Sequence, residues 1–214
     1  MLKADLHIHT SYSMDCDMSL EQVINRCLKI GINCIAIADH GTTEGALKIQ
    51  SMAPFTVIVA EEILTPHGEI TGMFLEETIP SGLSVEQTIS RIRAQGALIC
   101  IPHPFDTFRQ SALGNNIIEK ISEQIDIIEV FNSRAFLPQD SAKALAFALK
   151  HGIAKSAGSD AHTLYEIGNT YVQMPEFNGK DDFLQALEKG KISGHRTNPL
   201  VHFASVWTRL KKRL

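Results

Sequence analysis

The feature that most constrains the fold of this chain is an alternation of short apolar runs with longer amphipathic stretches. This alternation is typical of repeated β-α units around a largely parallel sheet. Between the apolar runs, the amphipathic stretches predict helices that cover the sheet. The predicted strands are residues 2–8, 34–38, 56–60, 70–75, 98–102, 125–131 and 154–158.

Two of the predicted helices have clear start and stop signals. Ser19 precedes an apolar stripe that ends at Gly31, and Ser84 with Gln87 forms a capping box for a helix that ends at Gly96. Two further helices are predicted at 139–151 and 181–189, closed by Gly152 and Gly190.

Composition limits the class of protein. With 214 residues, 44% of them apolar, the chain can form one buried core, and we expect a single domain over residues 1–214. The net charge of −4, with both signs well mixed, argues against a protein that holds nucleic acid mainly by electrostatics. The basic run at 209–213 is expected to be the exposed last turn of a helix.

Cysteine usage and hydropathy predict where the protein works. Its four cysteines form no C-x-x-C pair, which suits free thiols in a reducing compartment. No signal segment or membrane-length apolar run is visible, so we expect a cytoplasmic protein without membrane contact. Neither glycine-rich phosphate-binding motif occurs.

His7 and His9 lie one residue apart on the first predicted strand. Residues i and i+2 of a strand share a face, so the two imidazoles should project side by side while Leu6 and Ile8 pack behind them. That is a metal-ligand arrangement, although two structural histidines would give the same pattern.

Most later strands also end in carboxylates or imidazoles. Each one alone could be a turn or a helix cap, but together they are hard to explain by local structure. Periodicity does not separate an open doubly wound sheet from a barrel. Chemistry at many strand ends favours the barrel, where the loops after the strands converge on one site. The residues concerned are Asp15, Asp39, His40, Glu61, Glu62, His103, Asp160 and His162.

These residues belong to motifs that resemble those of the PHP (polymerase and histidinol phosphatase) family. The motifs occur in the family's order: Asp5-Leu6-His7-Ile8-His9, Ile37-Ala38-Asp39-His40, Glu61-Glu62-Ile63, Ile101-Pro102-His103-Pro104 and Gly158-Ser159-Asp160-Ala161-His162. The resemblance implies an α/β fold, a distorted (β/α)7 barrel like a TIM barrel. It also implies two or three divalent metal ions and hydrolysis of a phosphoester.

The resemblance also implies a ligand set. His7, His9, Glu62 and Asp160 would hold one metal, with His7, His9, Asp160 and His162 the catalytic residues. Asp15, His40 and His162 would hold a second metal, and Glu62 with His103 a third, with Glu62 bridging. Mixed imidazole and carboxylate ligands suit zinc, manganese or iron. Glu62 is chosen over Glu61 from the family pattern.

One motif departs from the family. Many members carry a further histidine about ten residues after the bridging glutamate, and here Thr71 or Gly72 stands in its place. Either His67 reaches in from its loop or the site is binuclear. We expect a third metal to be absent or weakly held, because two protein ligands leave an ion mostly hydrated.

The expected reaction is attack by a metal-activated water on a small phosphorylated substrate, a phosphomonoester or a nucleotide. Arg134, just after a strand, and Arg196, in a turn, are the candidates for binding the phosphate. The general acid, the substrate's identity and the oligomeric state are not predicted. Three alternatives stay open: a metal-dependent amidohydrolase or deaminase, an exonuclease-like activity on short oligonucleotides, and a non-catalytic binding remnant.

Overall fold

A computed structural model describes residues 1–212 as a nine-stranded sheet covered by helices. The strand order is β7-β6-β5-β4-β3-β2-β1-β8-β9. Within it β3-β4-β5 are antiparallel, whereas β1-β2-β3 and β5-β6-β7 are parallel. The strands are β1 Leu2–Ile8, β2 Cys34–His40, β3 Thr56–Thr65, β4 Gly68–Met73, β5 Leu98–Ile101, β6 Ile127–Asn132, β7 Ala154–Gly158, β8 Thr170–Met174 and β9 Lys191–Gly194.

The sheet curls until β7 meets β1, which nearly closes a barrel. The Asp160 amide donates to the carbonyl of His7, and the His9 amide donates to the carbonyl of Ala161. Gly158 is required at this seam, because a Cβ there would lie 2.7 Å from the His7 backbone nitrogen. The predicted α/β barrel is confirmed, with its fourth strand antiparallel to both neighbours and two strands added beside β1.

Seven α-helices accompany the strands within residues 1–212. The predicted capping boxes at Ser19 and Ser84 are present, and Gly31 ends α1 with φ +74°. The signals at 139–151 and 181–189 mark α5 and α6 to within one residue at each end. Helices α2 and α4 were not predicted, and of α7 only the last turn was. The helices are α1 Leu20–Ile30, α2 Glu44–Met52, α3 Val85–Ala94, α4 Asn115–Lys120, α5 Pro138–His151, α6 Lys180–Glu188 and α7 Val201–Lys211.

Alternation along β2 and β3 gives the sheet two chemically different faces. Ile35 and Ile37 pack outward in the cluster under the helices, whereas Ala36 and Ile58 belong to the inner cluster. The inner positions continue to His40 on β2 and to Glu62 on β3, which pair with each other in register. Apolar side chains therefore fill the barrel beneath a polar upper end.

Strand β1 breaks this alternation. The pairing register shifts between Asp5 and Ile8, a bulge-like irregularity. Ile8 joins the outer cluster as expected, but Leu6 joins the inner one. The expectation that Leu6 and Ile8 pack behind the histidines is therefore wrong for Leu6. Because of the register shift, the side chains of Leu6 and His7 both lie on the inner side of the sheet.

Helix α7 lies against the loop that follows β1. Lys212 donates to the carbonyls of Ser11, Ser13 and Cys16, and Arg209 pairs with Asp15. The basic end of the chain is thus helical as expected but docked rather than free, with Arg213 outside the described residues. No helix within residues 1–212 has the length and apolarity needed to cross a membrane.

Candidate metal centre

The upper end of the barrel brings together all eight predicted metal ligands. They come from six different chain segments, and seven of them are buried while His40 is slightly exposed. The eight residues are His7, His9, Asp15, His40, Glu62, His103, Asp160 and His162.

The first group surrounds the two histidines of β1. His7 Nε2 lies 3.2 Å from His9 Nε2, with Glu62 oxygens 3.5 Å from each of these nitrogens. Asp160 Oδ1 lies 3.4 Å from His9 Nε2 and 3.8 Å from His7 Nε2. The structure therefore places Asp160 with the same pair, as the family pattern implies.

The second group lies beside it. Asp15 presents one oxygen 3.4 Å from His162 Nε2 and the other 3.6 Å from His40 Nε2. His9, His40 and His162 also offer nitrogens within 4.8 Å of one another. These two groups share the His9 side chain as a neighbour.

The third group contains a residue that the sequence analysis missed. Glu69 on β4 is buried, with its oxygens 3.6 Å from His40 Nδ1 and 3.5 Å from His103 Nε2. Glu62 Oε1 lies 2.7 Å from the same His103 nitrogen. Thr71 pairs with Glu62 across the sheet, and His67 is exposed at the turn before β4. A carboxylate two residues before Thr71, on the same face of β4, thus stands where a histidine was sought.

Outer partners fix the orientation of the two β1 imidazoles. His7 Nδ1 donates to Glu129, at 3.1 Å, and His9 Nδ1 donates to Ser13, at 3.0 Å. Ser13 donates in turn to Asp39, which also accepts two hydrogen bonds from Thr10. Because each Nδ1 is held as a donor, the neutral form of each ring has its Nε2 lone pair directed toward the centre, the arrangement found in metal-ligating histidines.

Glu129 was not among the predicted residues. Besides His7 it accepts from the His103 amide at 2.6 Å and from the Asn132 side chain. Its signal in the sequence is a carboxylate inside the apolar run of β6, a position where an unpaired charge would be costly.

The neighbouring Glu61 faces away from the centre. It points to the outer face of β3 and accepts a hydrogen bond from the Ile79 amide. Burial raises the pKa of Glu61 to about 7.

Several site atoms have no hydrogen-bond partner among the described residues. Buried donors and acceptors are almost always paired, so a cluster of unpaired oxygens beside several imidazoles indicates a site built to bind a cation. Four carboxylates this close also need cations to compensate their repulsion. The residues present therefore fit a divalent metal cluster. The unpaired carboxylate atoms of the centre are Asp15 Oδ1, Glu62 Oε2, Glu69 Oε2 and Asp160 Oδ1.

The charges of the site act strongly on one another. Burial alone would lower the pKa of His7, but Glu129, Glu62 and Asp160 outweigh it and raise the pKa. The pKa of His9 falls through burial and the nearby His162 and His40. The pKa values of these two neighbouring imidazoles are thus shifted in opposite directions.

The pKa values of two carboxylates of the site are also shifted in opposite directions. Burial raises the pKa of Glu69, and the charge of Glu62 adds to that effect. For Asp160 burial acts upward, but Arg109 and His7 overcome it and the pKa falls well below its usual range.

Two site residues have strained backbones. His103 has φ +31° and Asp160 has φ +54°, in the region that side chains other than glycine rarely adopt. Such strain persists where the surrounding structure enforces it, and it is concentrated at functional sites. The loops after β5 and β7 are therefore held in shapes that serve the centre.

Cationic side chains surround the carboxylates. Arg109, which was not predicted, donates to Asp160 at 2.6 Å, and Arg209 of α7 donates to Asp15 at 2.6 Å. Arg134 lines the same cavity but donates to Ser205 of α7 and lies 3.4 Å from Glu166. Arg196 donates to the carbonyls of the loop before α5 and is not among the described residues that line the cavity.

A cavity of about 620 Å³ opens from this centre toward α7. One wall carries Asp15, His40, Glu62 and Glu69. Residues of α7 and of the loops after β5 and β6 complete its lining. The cavity is large enough for a small organic ligand.

Comparisons with known proteins agree with this geometry. The sequence-family model described as "PHP domain" matches residues 5–71, and the family model described as "PHP-associated" matches residues 138–192. An uncharacterized protein from Methanocaldococcus jannaschii is 38% identical over 181 residues, 83% of this chain and 72% of the relative.

Solved structures share the fold at low identity. A two-domain protein from Bacteroides vulgatus, described as containing a predicted PHP-like metal-dependent phosphoesterase, matches with TM-score 0.74 at 18% identity, over 91% of this chain and 65% of that one. An amidohydrolase from Chromobacterium violaceum, solved with bound sulfate and no metal, matches with TM-score 0.63 at 15% identity, over 95% of this chain and 96% of that one. From the two matched segments, the related sequence and the shared barrel, this chain belongs to the PHP family.

Proposed function

We propose that this protein is a metal-dependent phosphoesterase that hydrolyses a small phosphorylated molecule. The observation that carries the proposal is the inward aim of His7 and His9, whose Nδ1 atoms are held from outside while their Nε2 atoms lie 3.2 Å apart. Two imidazole lone pairs this close are stable only with a shared cation or a proton between them.

The ligand sets follow from the three groups. His7, His9, Glu62 and Asp160 would hold one ion, and Asp15, His40 and His162 a second. Glu62, Glu69 and His103 would hold a third, so Glu69 restores the site that Thr71 leaves short of a ligand. Zinc, manganese and iron all suit such mixed donors. These ions supply Lewis acidity, which polarises phosphoryl oxygens and acidifies water.

The protein's own residues position the ester. Arg109 lies beside Asp160 at the cavity edge, where its guanidinium can bind a phosphoryl oxygen. In the hydrolysis, the oxygen of water forms a bond to phosphorus and the ester oxygen leaves with a proton. The products are an alcohol and inorganic phosphate.

The phosphate-binding role proposed for Arg109 is added to the predictions for Arg134 and Arg196. Arg196 donates to carbonyls of the loop before α5, and its predicted contact with substrate stays a prediction. Arg134 holds α7 at the cavity, and its predicted contact with substrate stays a prediction. The volume of the cavity, about 620 Å³, and the net charge of −4 favour a small substrate over a polynucleotide. Four buried free thiols support a reducing compartment such as the cytoplasm.

The first experiment measures metal content and thermal stability. Elemental analysis of the purified protein should find two to three transition-metal ions per chain. Removing them with a chelator should lower Tm, because ligands of the native state stabilise it by mass action. A protein without stoichiometric metal, whose Tm does not respond to manganese or zinc, contradicts the proposal.

The second experiment identifies the reaction. A panel of phosphomonoesters, short oligonucleotides, amides and amines is assayed with manganese, zinc and iron. We expect phosphate release from a monoester, abolished in His7→Ala and Asp160→Ala and retained in the control His195→Ala, whose side chain is exposed. Turnover of amides or amines alone would assign the protein to amidohydrolase chemistry instead.

A further inference from the structure

Helix α7 leaves an apolar face in solvent. Five apolar side chains, four on α7 and one directly before it, are each 53–72% exposed. Their spacing of three or four positions places them along one side of the helix. We call this side the α7 seam, and its residues are Leu200, Phe203, Val206, Trp207 and Leu210.

The polar side of α7, rather than the seam, holds the helix on its own barrel. Ser205 is buried and accepts a hydrogen bond from Arg134 at 2.8 Å. Arg209 donates to Asp15 at 2.6 Å. A surface helix ordinarily turns its apolar stripe toward the core and its polar side toward water. The reversed orientation of α7 therefore presents the seam to a partner outside this copy of the chain.

The spacing within the seam is that of a helix that packs against another helix. Leu200, Phe203, Trp207 and Leu210 are separated by three, four and three positions, as the a and d positions of a heptad are. Side chains at these positions insert between those of a facing helix. A second helix is therefore the shape that the seam fits.

The area of the seam is sufficient for a dimer. Covering the exposed parts of its side chains would remove about 500 Å² of surface from water in each copy. Two seams facing each other would bury about 1,000 Å², which reaches the size of a specific interface before its rim is counted. Phe203 and Trp207, at 72% and 71% exposure, are of the aromatic types that are enriched in interfaces.

The charges of α7 argue against a membrane as the partner. A helix that lies on a membrane presents lysine and arginine side chains to anionic headgroups. Here Arg209 donates to Asp15, Lys211 pairs with Asp17, and Lys212 donates to carbonyls of the loop after β1. These cations are engaged within the chain, and the net charge of −4 further opposes an anionic surface.

We propose that two copies of this chain associate through the α7 seam, with their α7 helices antiparallel about a two-fold axis. A two-fold axis joins the same patch of both copies, so a single self-complementary surface is enough. In this order Leu200 faces Leu210 of the other copy, and Phe203 faces Trp207 of the other copy. The parallel order would bring the basic ends of both helices together, which their like charge disfavours. The dimer does not depend on the reaction at the metal centre.

The first test measures mass and tryptophan fluorescence as the protein is concentrated. Sedimentation equilibrium at about 100 μM should find the mass of a dimer. Trp207 is the only tryptophan in the sequence, so burial of the seam should move the emission maximum to shorter wavelength as the dimer forms. A monomer at this concentration overturns the proposal and leaves the proposed function intact. Binding of that monomer to vesicles of phosphatidylserine and phosphatidylcholine would assign the seam to lipid instead.

A matched pair of variants locates the interface. Leu210→Glu and Leu149→Glu make the same change at helical leucines that are 53% and 65% exposed, the second on α5. A carboxylate in the covered seam is left without a partner, so Leu210→Glu should raise the Kd of the dimer at least about tenfold. Leu149→Glu should match wild type. Circular dichroism and Tm confirm that both are folded, and a dimer that persists in Leu210→Glu overturns the seam as the interface.

Cross-linking tests the antiparallel order. Leu200→Cys and Leu210→Cys each add one exposed thiol, whereas the native cysteines are buried. With a short bismaleimide, a mixture of the two variants should form a covalent dimer, and each variant alone should not. Efficient cross-linking of each variant with itself would overturn the antiparallel order.

Discussion

At the scale of single residues, the role of each carboxylate depends on the face from which it projects. Glu61 and Glu62 are adjacent, yet Glu62 enters the metal centre and Glu61 caps the Ile79 amide on the other side of β3. Two aspartates also differ in role: Asp15 belongs to the metal centre, whereas Asp39 holds the Ser13 hydroxyl that orients His9. Residue type alone does not distinguish the ligand from the support.

Glu69→Gln tests the third metal position. The substitution removes an anionic ligand while keeping the size of the side chain, so the bound metal should fall by about one ion per chain and the other two should remain. Elemental analysis after desalting measures this. Glu188→Gln, at an exposed position of α6, is the control. Unchanged stoichiometry would show that Glu69 is not a ligand.

Glu129→Gln tests the support of His7. The side-chain oxygen of glutamine can still accept from His7 Nδ1. Its NH2 group, however, cannot accept from the backbone N–H of His103, which donates to Glu129 at 2.6 Å. Loss of such an outer partner costs about 10–100-fold in metal affinity. Competition with a fluorescent zinc chelator measures the change, and the exposed Glu123→Gln should match wild type. Equal affinity in both variants would rule out a supporting role.

At the scale of elements, the barrel depends on how β1 meets its two neighbours. The register shift in β1 directs His7 inward, and the seam with β7 brings Asp160 within reach of both histidines of that strand. The contact between β1 and β7 that closes the barrel therefore also assembles part of the metal centre. The lack of any side chain on Gly158 allows the close approach.

Gly158→Ala tests the seam. The added methyl would meet the Cβ of His7 at 2.3 Å, so the strands must separate, and overpacking of this kind costs about 1–3 kcal/mol. We expect a lower free energy of unfolding by denaturant, together with weaker metal binding. Gly114→Ala is the control, because nothing lies within 4 Å of the Cβ it would add. A Gly158→Ala protein as stable as wild type would contradict the close contact at the seam.

At the scale of the whole molecule, two apolar clusters enclose the sheet from its inner and outer faces and bury every cysteine. Helix α7 then crosses from the end of the chain to the loop after β1 and supplies one wall of the cavity. The site is thus assembled from both ends of the sequence.

Thiol reactivity tests this burial. Burial raises the pKa of Cys16, Cys27 and Cys34 to about 12 and that of Cys100 further. At pH 8 the native thiols should not react with Ellman's reagent, whereas all four should react in guanidinium.

The same shifts predict a pH dependence. Because the folded pKa values lie above those of the unfolded chain, the free energy of unfolding should decrease as the pH rises from about 9 toward 12. Ser51→Cys, at an exposed position, provides a reactive thiol for comparison. Rapid reaction of native wild-type thiols would contradict the packing.

The sequence by itself determined the seven barrel strands, the caps of α1 and α3, and eight ligand candidates, because apolar periodicity and strand-end chemistry are local signals. Strands β8 and β9 were not predicted, because both are partly exposed and neither contains a continuous apolar run. Glu69, Glu129, Arg109 and the docking of α7 depend on which faces meet after the barrel closes. Only the tertiary structure decides that, because it brings together residues far apart in sequence, such as His7 with Glu129 and Asp15 with Arg209.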